Sequence, residues 1–590
     1  MKEYFSFQDE KVLFFCTRGG VTYQVFSTDE YSESTLTFEA FRALLGDPKS
    51  PYLLGIWLDA NGFYVFRDFF GRLPFFYSLI GGRLYFSTSY SALSNLPAVR
   101  ECVTPDIDTI QRYLSPGNYS ARYKAATFYN EIKAALPGYL TQISTGNPHH
   151  EYIVRLADSR YKGLKTLSAF GDVFRERLFR SVEAALKNKN GISSQLSGGL
   201  DSSSLVSIAR KIRADDTIIG MFMTGKTPTD PEILKRHDFS YLEDVATDCR
   251  VELLKLPVAK PDSGLIMDLV RELGQPPAML GVDRLYEILL RLKERNCDVM
   301  LSGALGDSVV GYGRECIDAY WEQGAWCRVN EALEKLGETD KYFSLRKEKG
   351  KAFVFRRIKK FYLLKKLSTA WRSSEWYKIP GLTLWGSLRL KLNPVDILVT
   401  MAGKLVRKSG GPGKKFKPVA LPASRRTEVE EGGHEGLFRD IQITHNIRML
   451  EEFYALGNFV GVKIEVPYCD PALYELCESV PADLKFYDGV GRGQLREGLK
   501  GILTESVRLR SNKTSPEGDE VTEWTENMYR CCSDLLHESS PVWSYVDRDA
   551  FMYNKQLFES RSFSLDKISS LLTSVGQVIM LSAWLKVTKQ

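Results

Sequence analysis

The sequence predicts two units of different class. One is a β-rich sandwich over residues 1–160, the other a doubly wound parallel α/β unit over residues 165–590 with a basic helical insertion at about 320–440. Three observations predict this. Up to about Ala157, apolar residues alternate or run in short stretches bounded by turn signals, the pattern of strands. From Leu167, helix-length periodic stretches alternate with short apolar runs, as in a parallel sheet with crossover helices. Residues 320–440 break that alternation and concentrate positive charge.

In the first unit, Gly62 to Phe66, Leu73 to Ile80 and Arg83 to Ser87 read as strands, and Gly81-Gly82 as the two-residue turn of a hairpin. In the second, a helix from Ala169 to Leu186 leads to the strand-like run Ile192-Ser193-Ser194-Gln195-Leu196. A helix follows from Ser204 to Ile212, with Leu205, Ile208, Ala209 and Ile212 on one face. Next come a strand from Ile218 to Met223, a helix from Phe239 to Arg250 and a strand from Val251 to Pro257. A helix from Asp283 to Arg295 and a strand at Val299-Met300-Leu301 complete the series. In the insertion, Phe355, Ile358, Phe361, Tyr362 and Leu367 fall near helical spacing among Arg356, Arg357, Lys359, Lys360, Lys365 and Lys366. The glycine-rich run from Ser409 to Lys415 reads as a flexible loop, and Gly576 to Lys586 as a last helix.

A chain of 590 residues is long enough for more than one domain, and 26% charged with 44% hydrophobic residues excludes a disordered polymer. No uninterrupted apolar run is long enough to span a bilayer. The start, Met1-Lys2-Glu3-Tyr4-Phe5, carries acid as well as base, so no signal peptide is expected there. The ten cysteines form no Cys-x-x-Cys pair, and Cys531 and Cys532 are adjacent, which predicts reduced thiols and a cytoplasmic location. The six histidines are scattered, so no zinc site is expected. Residues 341–420 hold 21 lysines and arginines against Glu348, Glu375 and Asp396. That segment therefore carries +18 in a chain of net charge +6, and the remainder carries −12. With Trp371, Trp376 and Trp385, it reads either as a surface for an acidic peptide, a partner protein or an anionic membrane, or as a solvated basic helix packed on the core. No nucleic-acid partner is expected.

The chemistry is carried by Ser197-Gly198-Gly199-Leu200-Asp201-Ser202-Ser203, set on a strand-to-helix turn. Such a turn aims unpaired backbone N–H groups and the positive end of a helix dipole at an anion. Glycines let the backbone approach a phosphate, serine hydroxyls add donors, and Asp201 can hold Mg²⁺ against phosphate oxygens. A second loop, Ser302-Gly303-Ala304-Leu305-Gly306-Asp307, follows another strand and should face the first across the crevice at the strands' carboxyl ends.

These residues resemble the pyrophosphate loop of the N-type ATP pyrophosphatases, the asparagine-synthetase-like branch in particular. A Walker loop, Gly-x-x-x-x-Gly-Lys-Ser/Thr, does not occur. Further stretches extend the resemblance. Arg67-Asp68-Phe69-Phe70-Gly71-Arg72-Leu73-Pro74-Phe75-Phe76-Tyr77 resembles the signature of the N-terminal amidotransferase domain. Phe128-Tyr129 with Ile132 to Gly138 resembles that domain's closing segment. Pro467-Tyr468-Cys469-Asp470 resembles the Pro-Phe-Leu-Asp box, and Asp488-Gly489 with Arg492 and Leu495-Arg496-Glu497 resembles Asp-Gly-x-x-Lys-x-x-Leu-Arg-Glu, Arg492 standing at the Lys position. Arg510-Ser511-Asn512-Lys513 resembles the Arg-x-Lys-Lys box. The resemblance implies a class II, Ntn-type glutaminase fold in the first unit and an ATP pyrophosphatase fold in the second. It further implies that Leu196, Ser197, Gly198, Gly199, Asp201, Ser202, Ser203, Met221, Ser302 and Gly303 bind ATP, that Asp201 and Asp307 hold Mg²⁺, and that Lys513 joins these two aspartates as catalytic residues. The products would be AMP and pyrophosphate.

Two departures narrow the expected reaction. Glutamine-using members need a cysteine as first mature residue, whereas Lys2 stands at position 2 and the first cysteine is Cys16 in a strand-like run. The first unit is therefore expected to keep its fold without a nucleophile, and the amine to come from elsewhere. Ala304 stands where asparagine synthetases carry Glu and β-lactam synthetases Tyr. Three classes remain. One is a macrolactam synthetase resembling the lasso peptide cyclases, with a precursor peptide as substrate and a leader-binding protein and leader protease as partners. A second is an asparagine or other small-molecule amide synthetase using ammonia or another amine. A third is a non-catalytic nucleotide-binding relative.

Overall fold

Among the described residues thirteen strands fall into three sheets, and the split between antiparallel and parallel follows the change of pattern read from the sequence. The structure, a computed structural model, describes residues 13–17, 38–49, 52–59, 62–115, 121–144, 148–154, 156, 160–224, 238–257, 261–278, 281–339, 350–409, 441–511, 524, 526–559 and 568–588.

The N-terminal part holds β1 (Leu13–Thr17), β2 (Tyr52–Asp59), β3 (Gly62–Arg67), β4 (Phe76–Ile80), β5 (Arg83–Ser87), β6 (Ile132–Ala134), β7 (Tyr139–Ile143) and β8 (His149–Tyr152). They form two antiparallel sheets, ordered β1-β2-β3-β7-β8 and β5-β4-β6. Leu54, Ile56, Phe63, Val65, Phe75, Tyr77 and Ile143 fill the space between the sheets. Phe86 of β5 stacks on Phe75 and tilts onto Phe63, at centroid distances of 5.4 and 5.5 Å. The hairpin turn is Gly81-Gly82, with φ of +57° and +77°, the doubly left-handed geometry whose twist matches its strands.

The second part holds β9 (Ile192–Gln195), β10 (Ile218–Thr224), β11 (Val251–Pro257), β12 (Val299–Leu301) and β13 (Lys463–Glu465), all parallel. Their spatial order, β11-β10-β9-β12-β13, reverses direction between β9 and β12. A crevice opens beyond the strand ends at such a switch point. The central strand is unusually polar, and its buried serines are satisfied across the ladder. Ser193 Oγ donates to the Val299 carbonyl at 2.8 Å and Ser194 Oγ to that of Leu301 at 3.2 Å. Several boundaries differ from the sequence reading; the last helix begins at Ile568 rather than Gly576, and most others move by one or two residues. The helix after β9 spans Leu200–Ile212, so Asp201, Ser202 and Ser203 belong to its first turn rather than to the loop before it. β4 begins at Phe76, not Leu73.

The insertion folds as helices with their own core. Trp326–Thr339, Lys351–Arg372, Ile379–Arg389 and Pro394–Ser409 gather around Val329, Leu333, Ile358, Leu363, Leu390 and Ile397. Lys359 and Lys366, read from the sequence among the basic residues of a surface, have structural work instead. Lys359 is buried and paired with Glu334, and Lys366 pairs with Asp318 at 2.8 Å beneath Trp321 and Tyr362. Among the described residues no helix is long and apolar enough to cross a membrane.

The antiparallel part is fused to the parallel part. One apolar cluster includes Phe66 and Phe69 of the first and Tyr474 and Trp584 of the second. The Trp584 ring lies 5.5 Å from Phe128 and 5.3 Å from Tyr129.

Candidate active site

β9 ends in the core. Leu196 donates its N–H to the Met221 carbonyl at 2.9 Å, and both side chains are about fully buried. Their contribution to a bound nucleotide is therefore restricted to backbone. Gly198 then turns with φ of +68°, a conformation open to glycine without strain, and Gly199 caps the helix Leu200–Ile212. Ser197 accepts at Oγ from the Gly199 N–H at 3.4 Å and donates its own N–H to Ser202 Oγ at 3.2 Å. The loop is thus braced by its serines ahead of the helix N-terminus, an anion site in form and dipole. Ser203 Oγ is buried without a hydrogen-bond partner. Burying a hydroxyl unpaired costs free energy, so an acceptor arriving at the loop finds a donor in place.

The loop after β12 packs directly on this turn. A Cβ on Gly303 would lie 2.9 Å from the Ser202 nitrogen, and one on Gly306 would overlap the Asp201 carboxylate. Glycine at both positions is what allows the approach. Ser302 is anchored by donating its N–H to the Glu465 carbonyl at 2.8 Å, and its Oγ accepts from Ala304 N–H at 3.3 Å. Leu305, in the left-handed region at φ +62°, caps the short helix Gly306–Val310 and sets Asp307 in its first turn. A non-glycine residue held there is strained, and such strain gathers at functional sites.

Both aspartates converge on one guanidinium. Arg492 donates from Nη1 to Asp201 Oδ1 at 2.6 Å, and its Nη2 lies 4.0 Å from Asp307 Oδ2 and 2.8 Å from the Tyr312 hydroxyl. The guanidinium also lies over the Tyr312 ring at 4.7 Å. Burial pulls the Arg492 pKa down, but Asp201 and then Tyr312 outweigh it and leave it raised. Arg496, one turn on, is pushed down to about 10 by burial and by the charge of Arg492. The Asp201 side chain is 18% exposed and that of Asp307 60%, so one carboxylate is framework and the other faces solvent. Tyr468 closes the floor with its hydroxyl toward the Asp201 carbonyl at 3.5 Å, its pKa driven up by burial and by Asp201.

The residues expected at the site therefore come together, apart from Lys513, which lies outside the described residues. Arg510, three positions before it, donates from Nη1 to the Gly198 carbonyl at 3.1 Å, which brings that box to the phosphate loop. Sequence reasoning left Arg492 and Tyr312 out of the site. For Arg492 the signal was its place at the Lys position of a charged box. For Tyr312, which reaches the site from the turn after Gly306–Val310, there was none.

Hard carboxylate oxygens from the first turns of two neighbouring helices suit Mg²⁺, and the turn with its unpartnered Ser203 hydroxyl suits a phosphate chain. The parallel-sheet switch point, the glycine-turned helix N-terminus and the two aspartates together form a crevice with the make-up of an anion site. The Asparagine synthase family model matches residues 173–586, and the chain belongs to that family. It is an ATP-dependent carbon–nitrogen ligase of the asparagine-synthetase type. A comparison with curated proteins finds no match.

Proposed function

We propose that this ligase adenylates a side-chain carboxylate of a precursor peptide, releasing pyrophosphate, and lets the peptide's own N-terminal amine displace AMP to close a macrolactam, as lasso peptide cyclases do. The observation that carries this is Ala304. It lies half-buried in the loop packed on Asp201, where asparagine synthetases place Glu, and a methyl group can neither take nor orient a proton. An α-amine, with an ordinary pKa of about 7.7–8.0, is already partly neutral near pH 7 and needs little help from a base.

The remaining residues take roles by position. Ser197, Gly198, Gly199, Ser202 and Ser203 hold the β and γ phosphates as leaving group. Asp201 and Asp307 would hold Mg²⁺, which would neutralise phosphate charge when bound. Lys513 stabilises the charge that builds at the α phosphate during attack. On this reading the parallel unit is an N-type ATP pyrophosphatase domain, and the N-terminal sheets are a degenerate class II glutaminase. The enzyme acts in the cytoplasm beside a leader-binding protein and a leader protease.

The test supplies purified enzyme, ATP, Mg²⁺ and a candidate precursor peptide. AMP and pyrophosphate should form in step with a product lighter by one water and resistant to aminopeptidase. Efficient turnover of free aspartate with ammonia, and none of cognate peptides, would replace this reading with a small-molecule amide synthetase.

A further inference from the structure

The helical insertion exposes apolar surface out of proportion to the rest of the chain. Of seventeen large hydrophobic side chains exposed among the described residues, ten lie between Phe353 and Val399. The other seven are scattered from Leu44 to Met552. In the helix Ile379–Arg389, Gly381, Leu384, Trp385 and Leu388 face solvent, at spacings of three, four and seven. In the next helix, Pro394–Ser409, Val395, Leu398, Val399 and Ala402 repeat the same spacing. Each is an unbroken stripe on the side opposite the insertion's core, to which Ile397 and Leu390 belong. Trp385 is 62% exposed, Val399 65% and Tyr377, just before the first helix, 71%.

Charge decides what covers this face. Arg356, Lys365, Arg372, Arg389 and Lys391 are exposed on the same helical lobe, while Glu375 and Asp396 are the acids of that stretch. A second copy of the chain would bring a lobe of the same strong positive charge against itself, which is unfavourable. Tryptophan and tyrosine bridge apolar and wet surroundings, and leucine and valine stripes with basic flanks are the composition of helices that lie in a lipid interface. Juxtaposed lysine and arginine are drawn to acidic headgroups.

We propose that the helices Ile379–Arg389 and Pro394–Ser409 dock this protein, peripherally and reversibly, on an anionic phospholipid surface. Their apolar stripes enter the headgroup boundary and the lobe's basic side chains meet lipid phosphates. Docking needs neither ATP nor peptide, so it stands or falls apart from the ligase reading.

The test is flotation of the full chain with vesicles of phosphatidylcholine alone or of phosphatidylcholine with equal phosphatidylglycerol. The protein should float with the acidic vesicles, less so as salt rises, and stay behind with the neutral ones. Trp385→Ser with Leu388→Ser and Val399→Ser, and separately Lys365→Glu with Arg372→Glu and Lys391→Glu, should each lower vesicle affinity by about tenfold or more. All six side chains are exposed, and circular dichroism should show both variants folded. Absence of flotation, or undiminished flotation of both folded variants, overturns the proposal. So does a concentration-dependent dimer, or a stable complex with an acidic protein, that the serine variant abolishes while wild type ignores vesicles.

Discussion

Arg492 sits where two carboxylates would otherwise face one another unpaired. Its bond to Asp201 is nearly buried, and breaking such a pair strands a charge away from water. Asp307, more exposed, does not depend on it in the same way. The two aspartates should therefore fail differently. Asp307→Asn should stop pyrophosphate release while leaving the thermal unfolding midpoint nearly unchanged. Asp201→Asn should do both kinds of damage, lowering stability by roughly 3 kcal/mol as the arginine loses its partner. Near-normal pyrophosphate release by both variants would remove them from the reaction. If Asp201 and Asp307 hold a metal as proposed, Arg492 competes with it for the same oxygens. Arg492→Gln should let Mn²⁺ bind without nucleotide, visible by electron paramagnetic resonance, where wild type binds little. Its turnover should fall by about a hundredfold, as when one preorganised charge is removed from a transition state. Unchanged metal binding would mean that the guanidinium does not hold the metal position. Asp201 and Asp307 were legible from motif spacing, because each lies just beyond a strand. The role of Arg492 was not, because its partner is 291 residues away and only the folded crevice brings them together.

Secondary structure was legible wherever the pattern spans a whole element. β11 and β12 run from the first to the last residue read from the sequence, and the hairpin turn is the Gly81-Gly82 step. β13 was missed, although Val462-Lys463-Ile464-Glu465-Val466 alternates apolar and charged residues; the run is short, and its pairing with β12 makes it a strand. Composition left the insertion's charges open between a binding surface and a packed helix, since periodicity places Lys359 on a helix without saying which face packs. Lys359→Glu should destabilise the chain by on the order of 2–4 kcal/mol by setting a like charge against Glu334, whereas Lys365→Glu should stay within about 0.5 kcal/mol of wild type. Denaturant midpoints check both. Another buried charge lies at the start of the helix Val282–Glu294. Burial raises the pKa of Asp283 above the ordinary 3.8, although the Trp524 indole N–H donates to both its oxygens at 3.3 and 3.2 Å. A raised folded-state value means that stability comes from the protonated form, is complete below the ordinary value and is lost as pH rises through the raised one. Asp283→Asn retains an acceptor for the indole and removes the charge. The variant's advantage over wild type in melting temperature should therefore grow with rising pH, and a constant difference would show that Asp283 does not titrate as described.

At the scale of the molecule, the Arg-Asp signature near residue 67 has become part of a joint. Arg67 is fully buried and donates to the carbonyls of Leu73, Ala135 and Gly71, at 3.0, 3.1 and 2.7 Å. Its Nη1 pairs at 3.0 Å with Glu451, on the helix Thr444–Val460 of the parallel part. Glu451 also accepts from the Tyr123 hydroxyl at 2.6 Å, and Gln442, just before that helix, donates to the carbonyls of Phe69 and Pro137. Burial pulls the Arg67 pKa down, and Glu451, Tyr123 and Asp68 together more than restore it, which keeps the guanidinium charged inside the protein. Removing one partner of such a pair is far more damaging than removing both. Arg67→Ala should thus lower stability by about 3–5 kcal/mol, as buried Glu451 loses its nearest cation and is left with Arg448 at 3.7 Å. Arg67→Met combined with Glu451→Leu, which retains volume without charge, should recover most of that loss even though it removes more hydrogen bonds. Denaturant unfolding followed by tryptophan fluorescence reads both variants, because Trp584 lies at the same joint. If the single and double variants fall equally, the pair is not what couples the two parts, and the apolar contacts around Trp584 carry the joint alone.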